Sequence, residues 1–359
     1  MHKIPFWRSC FGEEEIANIA NSMRKEYISQ GPITEEFEQQ ISELLNVPYV
    51  VVTTSGSMAL LMACIAAGIG PDDEVIIPNR TWVATAHAPL ILGAKIIFTD
   101  VKAKIPIMDP SLIEQKITLK TKAIMPVHLN GRSVDMQVVN RIAKENDLII
   151  IEDAAQAFLS KNKSNFLGCQ SFAGCFSLGI AKLISTGQGG FVVTEDKDVY
   201  EKMRLIRTHG VSSLFEASYA MMGLNFKFTD ILASIGIEQI KRIPKRINRC
   251  ITIYEKYSSG IDKLSFLKLI PVDIKSDEIP IYVEVLCHNR DRLAIYLADN
   301  GIETKLFYPD LDTADYFNCT ENFPNSRVFA SQGLMLPSGP DQPLENIDYV
   351  IDTLNDFEV

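Results

Sequence analysis

The sequence predicts an α/β fold built on a largely parallel, doubly wound sheet. Short apolar segments alternate with Ala- and Leu-rich or amphipathic stretches along the first half of the chain; the segments cover residues 49–53, 74–78, 94–100, 122–128 and 148–153. Alternation of strands and helices favours parallel pairing through crossover connections. The continuous apolar run at residues 148–151 is typical of a strand that is buried on both faces.

Two helices are predicted before the first strand. After Pro244 the regular alternation of strand and helix gives way to a different mixture of helices and strands. Residues 12–25 read as one helix, and Thr34 is a candidate cap of a second helix that ends at Leu45. The later elements are helices at residues 247–257, 290–300 and 347–354 and strands at residues 279–286 and 305–308. We therefore expect a large domain, residues 1–244, and a small C-terminal α/β domain, residues 245–359.

Composition narrows the class of protein. The chain has 359 residues, 47% of them hydrophobic, and a formal net charge of −10, which argues against nucleic-acid binding. Its seven cysteines are scattered without CxxC spacing, so we expect neither a disulfide framework nor a metal site. The start of the chain lacks an apolar signal core, and no segment approaches membrane-spanning length. We expect a cytoplasmic protein that does not bind membranes.

Lys182 is the first candidate catalytic residue. It lies among small and apolar residues and precedes a glycine cluster at residues 187–190. Burial in such surroundings disfavours the ammonium form, and a neutral amine attacks a carbonyl and holds it as a Schiff base. A solvated surface lysine is the alternative interpretation.

Two further features lie upstream. Asp153 ends the apolar strand at residues 148–153, and ligands of open α/β sheets collect at the carboxyl ends of strands. Ser55, Gly56 and Ser57 form a turn between a strand and an Ala-rich helix, and free amides at a helix start bind phosphate. As alternatives, Asp153 or Ser57 is an ordinary helix N-cap.

The three features together match the requirements of pyridoxal 5′-phosphate (PLP). Its aldehyde needs an amine, its pyridine nitrogen needs an acidic partner, and its phosphate needs a cradle of donors. The sequence therefore predicts PLP as the cofactor.

Ordered blocks along nearly the whole chain resemble the DegT/DnrJ/EryC1/StrS sugar aminotransferases. These are PLP enzymes of the aspartate aminotransferase fold, fold type I. The blocks are residues 30–32, 54–57, 70–78, 81–85, 126–131, 152–156, 176–177 with Lys182, 187–190, 207–210 and 223–239. The resemblance implies a large PLP-binding domain, with a mostly parallel sheet flanked by helices, and a smaller C-terminal α/β domain.

The resemblance also implies roles for single residues. It implies that Trp82 stacks on the pyridine ring, Gln156 binds the phenolic oxygen and Ser177 binds the phosphate. Asn225 would reach the phosphate of a neighbouring subunit, which implies a homodimer with active sites at the subunit interface. Without the resemblance, Trp82 would be interpreted as a core residue, Ser177 as an ordinary strand residue and Asn225 as a turn residue.

Four residues are candidates for substrate contacts by the same resemblance. Ser29 and Gln30 belong to a segment that lies near the cofactor in the family, although residues 31–32 alone indicate a simple helix stop. His128 ends a predicted strand, and a structural histidine is the alternative there. Lys227 replaces the arginine usual in the family, and the two cations are not equivalent at an anion site.

Three other departures occur, and two of them, at residues 183 and 188, affect the expected surroundings of the lysine. Asn130 stands where the family has tyrosine, Leu183 where it has asparagine, and Gln188 where it commonly has glutamate. The lysine itself argues against the related sugar dehydratases, in which histidine replaces it.

The resemblance implies an aminotransferase that takes the amino group of an amino acid, by family habit L-glutamate. The acceptor would be a keto sugar, foremost a nucleotide-linked 4-keto-6-deoxy sugar for surface polysaccharide or glycan biosynthesis. The alternatives are a 3-keto sugar, a small non-nucleotide keto compound, and a non-catalytic PLP-binding regulator.

Overall fold

A computed structural model describes residues 3–212 and 218–358 of the chain. Its first part alternates helices and strands, as the sequence predicts. In chain order these elements are α1 (Glu13–Arg24), α2 (Pro32–Leu45), β1 (Tyr49–Thr53), α3 (Gly56–Ala66), β2 (Glu74–Pro78), α4 (Ala84–Ile91), β3 (Lys95–Thr99), β4 (Thr121–Ile124), α5 (Met136–Glu145), β5 (Ile149–Asp153), β6 (Lys161–Asn162), β7 (Asn165–Phe166), β8 (Ala173–Ser177), β9 (Gly190–Thr194) and α6 (Lys197–Arg207).

Seven of these strands form the central sheet, in the order β1-β9-β8-β5-β4-β2-β3 within the described part of the chain. Strand β9 is antiparallel to both of its neighbours, while the remaining strands run in one common direction. The prediction of a mostly parallel α/β sheet is confirmed. The carboxyl ends of the parallel strands meet at one edge, where Asp153 ends β5 and Ser177 ends β8.

Helix α3 packs across this sheet, which explains why it is apolar on nearly every face. It contacts β8 and β9 on one side and α4 and α6 on the other, and residues 59–64 are all buried. Its N-terminus lies directly against β9. A Cβ at Gly190 would come within 2.5 Å of the Ser55 carbonyl carbon, so only glycine permits this approach.

The second half of the chain forms a separate antiparallel sheet covered by helices. Its elements are α7 (Asp230–Lys241), α8 (Ile243–Ile261), β10 (Leu267–Leu269), β11 (Val283–Cys287), α9 (Arg290–Asp299), β12 (Lys305–Leu306), α10 (Pro324–Gln332), β13 (Gly333–Leu336) and α11 (Leu344–Asn355). The sheet order is β10-β11-β13-β12. The two sheets fall on either side of the predicted boundary after residue 244, which lies within α8; the division stays a prediction. Among the described residues no helix is long and apolar enough to cross a bilayer.

The N-terminal segment connects the second sheet to the loop that carries the candidate lysine. Trp7 forms a parallel bridge with Ser338, just after β13. Two residues later the Ser9 hydroxyl donates to the Ile180 carbonyl at 2.6 Å. This segment therefore contacts both halves of the fold.

Helix α2 begins earlier than predicted, at Pro32, and Thr34 is not its cap. Gly31 is the N-cap residue, and the Asp230 carboxylate of α7 accepts the Gly31 and Thr34 amides at 2.8 and 2.9 Å. Proline suits the first turn of a helix because it lacks an amide donor. The prediction failed because the capping carboxylate comes from a residue that is distant in sequence.

Candidate active site

A cavity of about 440 Å³ lies between the carboxyl edge of the central sheet and the second sheet. It brings together most of the residues that the sequence singles out, namely Ser55, Gly56, Ser57, Trp82, Asp153, Gln156, Ser177 and Lys182. Tyr282, Lys305 and Tyr308 complete its lining from the C-terminal half of the chain.

Lys182 follows β8 in a loop that is fixed on both sides. Leu183 is buried in the core, and the Tyr282 hydroxyl donates to the Ala181 carbonyl at 2.6 Å. Burial lowers the pKa of Lys182 to about 8, while the negative charge of Asp153 opposes this shift. Roughly a tenth of the amine is therefore neutral at pH 7, which makes it a usable base and nucleophile.

Asp153 lies at the end of β5 and is only 5% exposed. Burial raises the pKa of its carboxyl, whereas two hydrogen bonds favour the ionised form. The Thr85 hydroxyl donates to Oδ2 at 2.7 Å and the Ala155 amide donates to Oδ1 at 3.1 Å. No helix begins directly after Asp153, so the alternative of an ordinary helix N-cap is excluded.

The turn before α3 forms a small cradle of donors. Ser55 is the N-cap and its hydroxyl accepts the Met58 amide at 3.2 Å, so Ser57 is not the cap. The amides of Gly56 and Ser57 open the helix and have no acceptor within it. A Cβ at Gly56 would lie 2.8 Å from the Cβ of Ser177, which brings the Ser177 hydroxyl beside these amides.

Trp82 is 52% exposed, so it is not the core residue that its sequence surroundings allowed. Its ring meets Tyr308 edge to face at 5.0 Å between centroids. One face of the cavity is therefore aromatic, and it suits a planar ligand.

The DegT/DnrJ/EryC1/StrS aminotransferase family model matches residues 9–355. The chain belongs to this family. GDP-perosamine synthase from Escherichia coli O157:H7 is 32% identical, with 99% of each chain covered. DesV from S. venezuelae, solved in complex with a ketimine intermediate, has a TM-score of 0.94 at 29% identity, covering 99% of this chain and 98% of DesV. The PMP form of Spr1654 from Streptococcus pneumoniae has a TM-score of 0.92 at 26% identity, covering 98% and 97%.

Membership of the family confirms several predictions. The family consists of PLP-dependent sugar aminotransferases, and its solved members are fold type I structures in PLP and PMP forms. The protein is therefore a PLP-dependent aminotransferase with the predicted architecture. The roles of its individual residues stay predictions.

The cavity fits PLP on its own geometry. The cradle at Gly56 and Ser177 offers amide and hydroxyl donors to a phosphate, and the acid at the end of β5 lies in the same cavity as the amine of Lys182. When it is bound, the cofactor supplies an aldehyde and an electron-accepting ring. The residues that would hold it are the cradle for the phosphate, Trp82 for the ring face and Asp153 for the ring nitrogen.

Gln156 is oriented by the backbone of Asn130. The Asn130 amide donates to Oε1 of Gln156 at 2.9 Å, so Nε2 of Gln156 points away from Asn130. Burial raises the pKa of Tyr308 to about 12, and a hydrogen bond with Gln156 opposes that shift. The Gln156 amide group thus bridges the two halves of the cavity lining.

The departure at Asn130 has a structural explanation. Asn130 is fully buried with a left-handed backbone (φ 55°), and its side chain binds β11 and the residue before it. Its Oδ1 accepts the Tyr282 amide at 2.7 Å, and its Nδ2 donates to the Tyr282 carbonyl at 2.9 Å and to Glu284 at 3.0 Å. Arg132 also binds the Glu284 carboxylate at 2.5 Å. This polar cluster joins the central sheet to the second sheet.

His128 does not line the cavity, contrary to its proposed substrate contact. It is fully buried, and its Nε2 lies 2.8 Å from a carboxylate oxygen of Glu152. Its Nδ1 accepts the Val134 amide at 3.3 Å. Both ring nitrogens have partners within the protein, so the structure gives His128 the structural role that was the alternative.

Ser29, Gln30 and Lys227 also lie outside the cavity. They surround a separate pocket of about 550 Å³. The same pocket is lined by Arg204, Arg207 and His209. Asn225 is exposed and pairs with Thr208, which also lines this pocket. Within one subunit these predicted contacts are therefore absent among the described residues.

Thr85, Tyr282, Lys305 and Tyr308 were missed by the sequence analysis. Thr85 lies in the first turn of α4, where its hydroxyl donates to Asp153. The other three come from strands and loops of the second half. Only the packing of the two sheets brings them to the cavity.

Proposed function

We propose that this protein transfers the amino group of L-glutamate to the ketone of a nucleotide-linked 4-keto-6-deoxy sugar. The reaction would take place in the cytoplasm and supply an amino sugar for surface polysaccharide or glycan biosynthesis. The observation that carries the proposal is the pairing of the Lys182 amine, with a pKa lowered to about 8, and the buried Asp153 carboxylate in one cavity.

The chemistry assigned to the chain's own residues is proton transfer and positioning. The Lys182 amine removes the proton from the donor carbon that bears the amino group and later returns a proton to the acceptor carbon. Asp153, held by Thr85, lies at the cofactor site, where its carboxyl would pair with the ring nitrogen. Trp82 covers one face of that site, which fixes the plane in which the reacting carbon lies.

The nature of the acceptor is supported by relatives and by the location of the departures. The relative at 32% identity is named GDP-perosamine synthase, and its named product is a nucleotide-linked amino sugar. Three departures from the family sequence, Asn130, Gln188 and Lys227, kept a small keto compound as an alternative acceptor. Asn130 is buried between the sheets, and Lys227 lies in the second pocket. Only Gln188 lines the cavity.

The two half-reactions test this function separately. L-Glutamate added to the PLP-loaded protein should abolish the visible absorbance of the bound cofactor, and one keto sugar from a nucleotide-linked panel should restore it. Lys182→Ala should abolish both changes, whereas Lys241→Ala, which removes an exposed lysine paired with Glu238, should leave them intact. Turnover by Lys182→Ala would overturn the assignment.

The active unit in this proposal is a homodimer. The second pocket contains the predicted contact residues Ser29, Gln30 and Lys227, and Asn225 lies exposed beside it. A face with cations and exposed polar groups, outside its own cavity, suits contact with the cavity of a second subunit. Asn225 would then supply a donor to the phosphate bound there.

Complementation between two inactive variants tests the shared site. Lys182→Ala and Asn225→Ala homodimers should each show strongly reduced activity. If each site draws Lys182 from one subunit and Asn225 from the other, mixed dimers contain one site with both residues intact and regain activity. The absence of recovery, with mixed dimers demonstrated by mass, would contradict the proposal.

A further inference from the structure

Lys305 is a second cation in the active-site cavity. It lies on β12, the edge strand of the second sheet, and it lines the cavity opposite the central sheet. Its Nζ lies 4.8 Å from the ring centroid of Tyr308, 5.8 Å from that of Trp82 and 6.0 Å from that of Phe6. Three aromatic rings therefore surround this ammonium group.

No carboxylate of the described residues lies within ion-pair distance of Lys305. The carboxylate that lines the cavity, Asp153, is already bound by Thr85 and Ala155. Burial lowers the pKa of Lys305, and its positive charge also lowers the pKa of Lys182. Lys305 is exposed on the edge strand, so it presents a cation at this wall of the cavity with no counter-ion among the described residues.

Cation–π contacts with the rings position the ammonium group but do not neutralise it. An anionic ligand in the cavity would gain a charge-assisted hydrogen bond with this ammonium group. Both substrates of the proposed function carry such an anion. The donor has its carboxylates, and the nucleotide sugar has its diphosphate.

We propose that Lys305 binds the anionic group of the incoming substrate and so holds the reacting carbon near Lys182. The proposal rests on the proposed function for the identity of the two substrates. Because donor and acceptor occupy the cavity in turn, the anion is a carboxylate in one half-reaction or a diphosphate in the other. The half-reactions separate these two sources.

The test compares three variants of the PLP-loaded protein. Lys305→Met keeps the length of the side chain and removes the charge, and Lys305→Arg restores a cation. Lys268→Met is the matched control, because Lys268 is exposed on β10 at the opposite edge of the same sheet. Single-turnover kinetics are measured with L-glutamate and with the keto sugar, and GDP, UDP, dTDP and glutarate are titrated calorimetrically.

Lys305→Met should raise the KM of the half-reaction that uses this contact about tenfold to a hundredfold, with a smaller change in kcat. Lys305→Arg should recover most of the loss, and Lys268→Met should behave as the unmodified protein. A matching loss of nucleoside diphosphate affinity identifies the diphosphate, and a loss of glutarate affinity identifies the donor carboxylate.

Unchanged KM values and unchanged probe affinities in Lys305→Met would overturn the inference. The proposed function would then stand, provided that the unmodified protein completes both half-reactions. If instead the unmodified protein fails with every keto sugar, the calorimetric titrations still decide whether Lys305 binds an anion.

Discussion

Replacement of Asn130 tests whether the polar cluster between the two sheets stabilises the fold. Asn130→Ala removes three side-chain hydrogen bonds and leaves the amide and carbonyl of Tyr282 without these partners. Each buried polar group that loses its partner costs about 1–3 kcal/mol, and alanine adds about 1–2 kcal/mol in a left-handed conformation. For the two Tyr282 groups and the strained alanine together, we expect the free energy of unfolding to fall by about 3–8 kcal/mol.

Two companion variants separate the contributions. Asn130→Gly loses the same hydrogen bonds without the left-handed strain, so it should be less destabilised than Asn130→Ala. Asn46→Ala imposes the same strain at the exposed end of α2, where the backbone is also left-handed (φ 52°). It should lose only about 1–2 kcal/mol.

Urea denaturation of the cofactor-free proteins measures these differences, with PLP affinity as a second readout. Affinity should also fall in Asn130→Ala, because Tyr282 fixes the loop of Lys182 through the Ala181 carbonyl. If Asn130→Ala is no less stable than Asn46→Ala, the cluster contributes nothing and the reasoning is wrong.

Three further predictions concern stability and cofactor binding. Lys182→Met should stabilise the cofactor-free protein at pH 7 by up to about 3 kcal/mol, because folding lowers the lysine pKa from 10.5 to about 8 and the unfolded chain binds more protons. This advantage should shrink as pH rises from 8 to 10.5, as measured by denaturation across that range. Gly56→Ala should weaken PLP binding at least tenfold, measured by titration, because its Cβ would press on Ser177 at 2.8 Å. His128→Phe should cost about 1–3 kcal/mol of unfolding free energy, because Glu152 loses one hydrogen bond and keeps those from Gly168, Gln170 and Ser171, while both KM values change less than twofold.

Each of these predictions has a control and a contradicting result. Gly70→Ala adds a methyl group in open space and should leave PLP affinity unchanged. A Lys182→Met advantage that stays constant between pH 7 and pH 10 would mean that the lysine pKa is not lowered. A large KM change in His128→Phe, with stability retained, would show that His128 contributes to substrate binding.

The sequence was sufficient for those parts of the site that are local in sequence. Lys182, Asp153 and the turn at Ser55 each follow a strand, and parallel strands end at the same edge, so their convergence was predictable. Lys305 and Tyr308 were not predictable, because they reach the cavity only through packing of the second sheet on the first.

Other errors have the same physical origin. His128 also ends a predicted strand. No feature of the neighbouring sequence indicated that its Nε2 would be hydrogen-bonded to Glu152 in the core. Thr34 resembled a helix cap because the true capping carboxylate, Asp230, is contributed by α7. In both cases a partner distant in sequence decided the outcome.

The N-terminal segment has a consequence for synthesis on the ribosome. Trp7 is translated long before Ser338, the residue with which it forms its bridge. Until then Ser9 has no neighbouring bridge to keep it against the Ile180 carbonyl in the lysine loop. Central-sheet folding can begin during translation, but this contact with the lysine loop is completed only after residue 338 has left the exit tunnel.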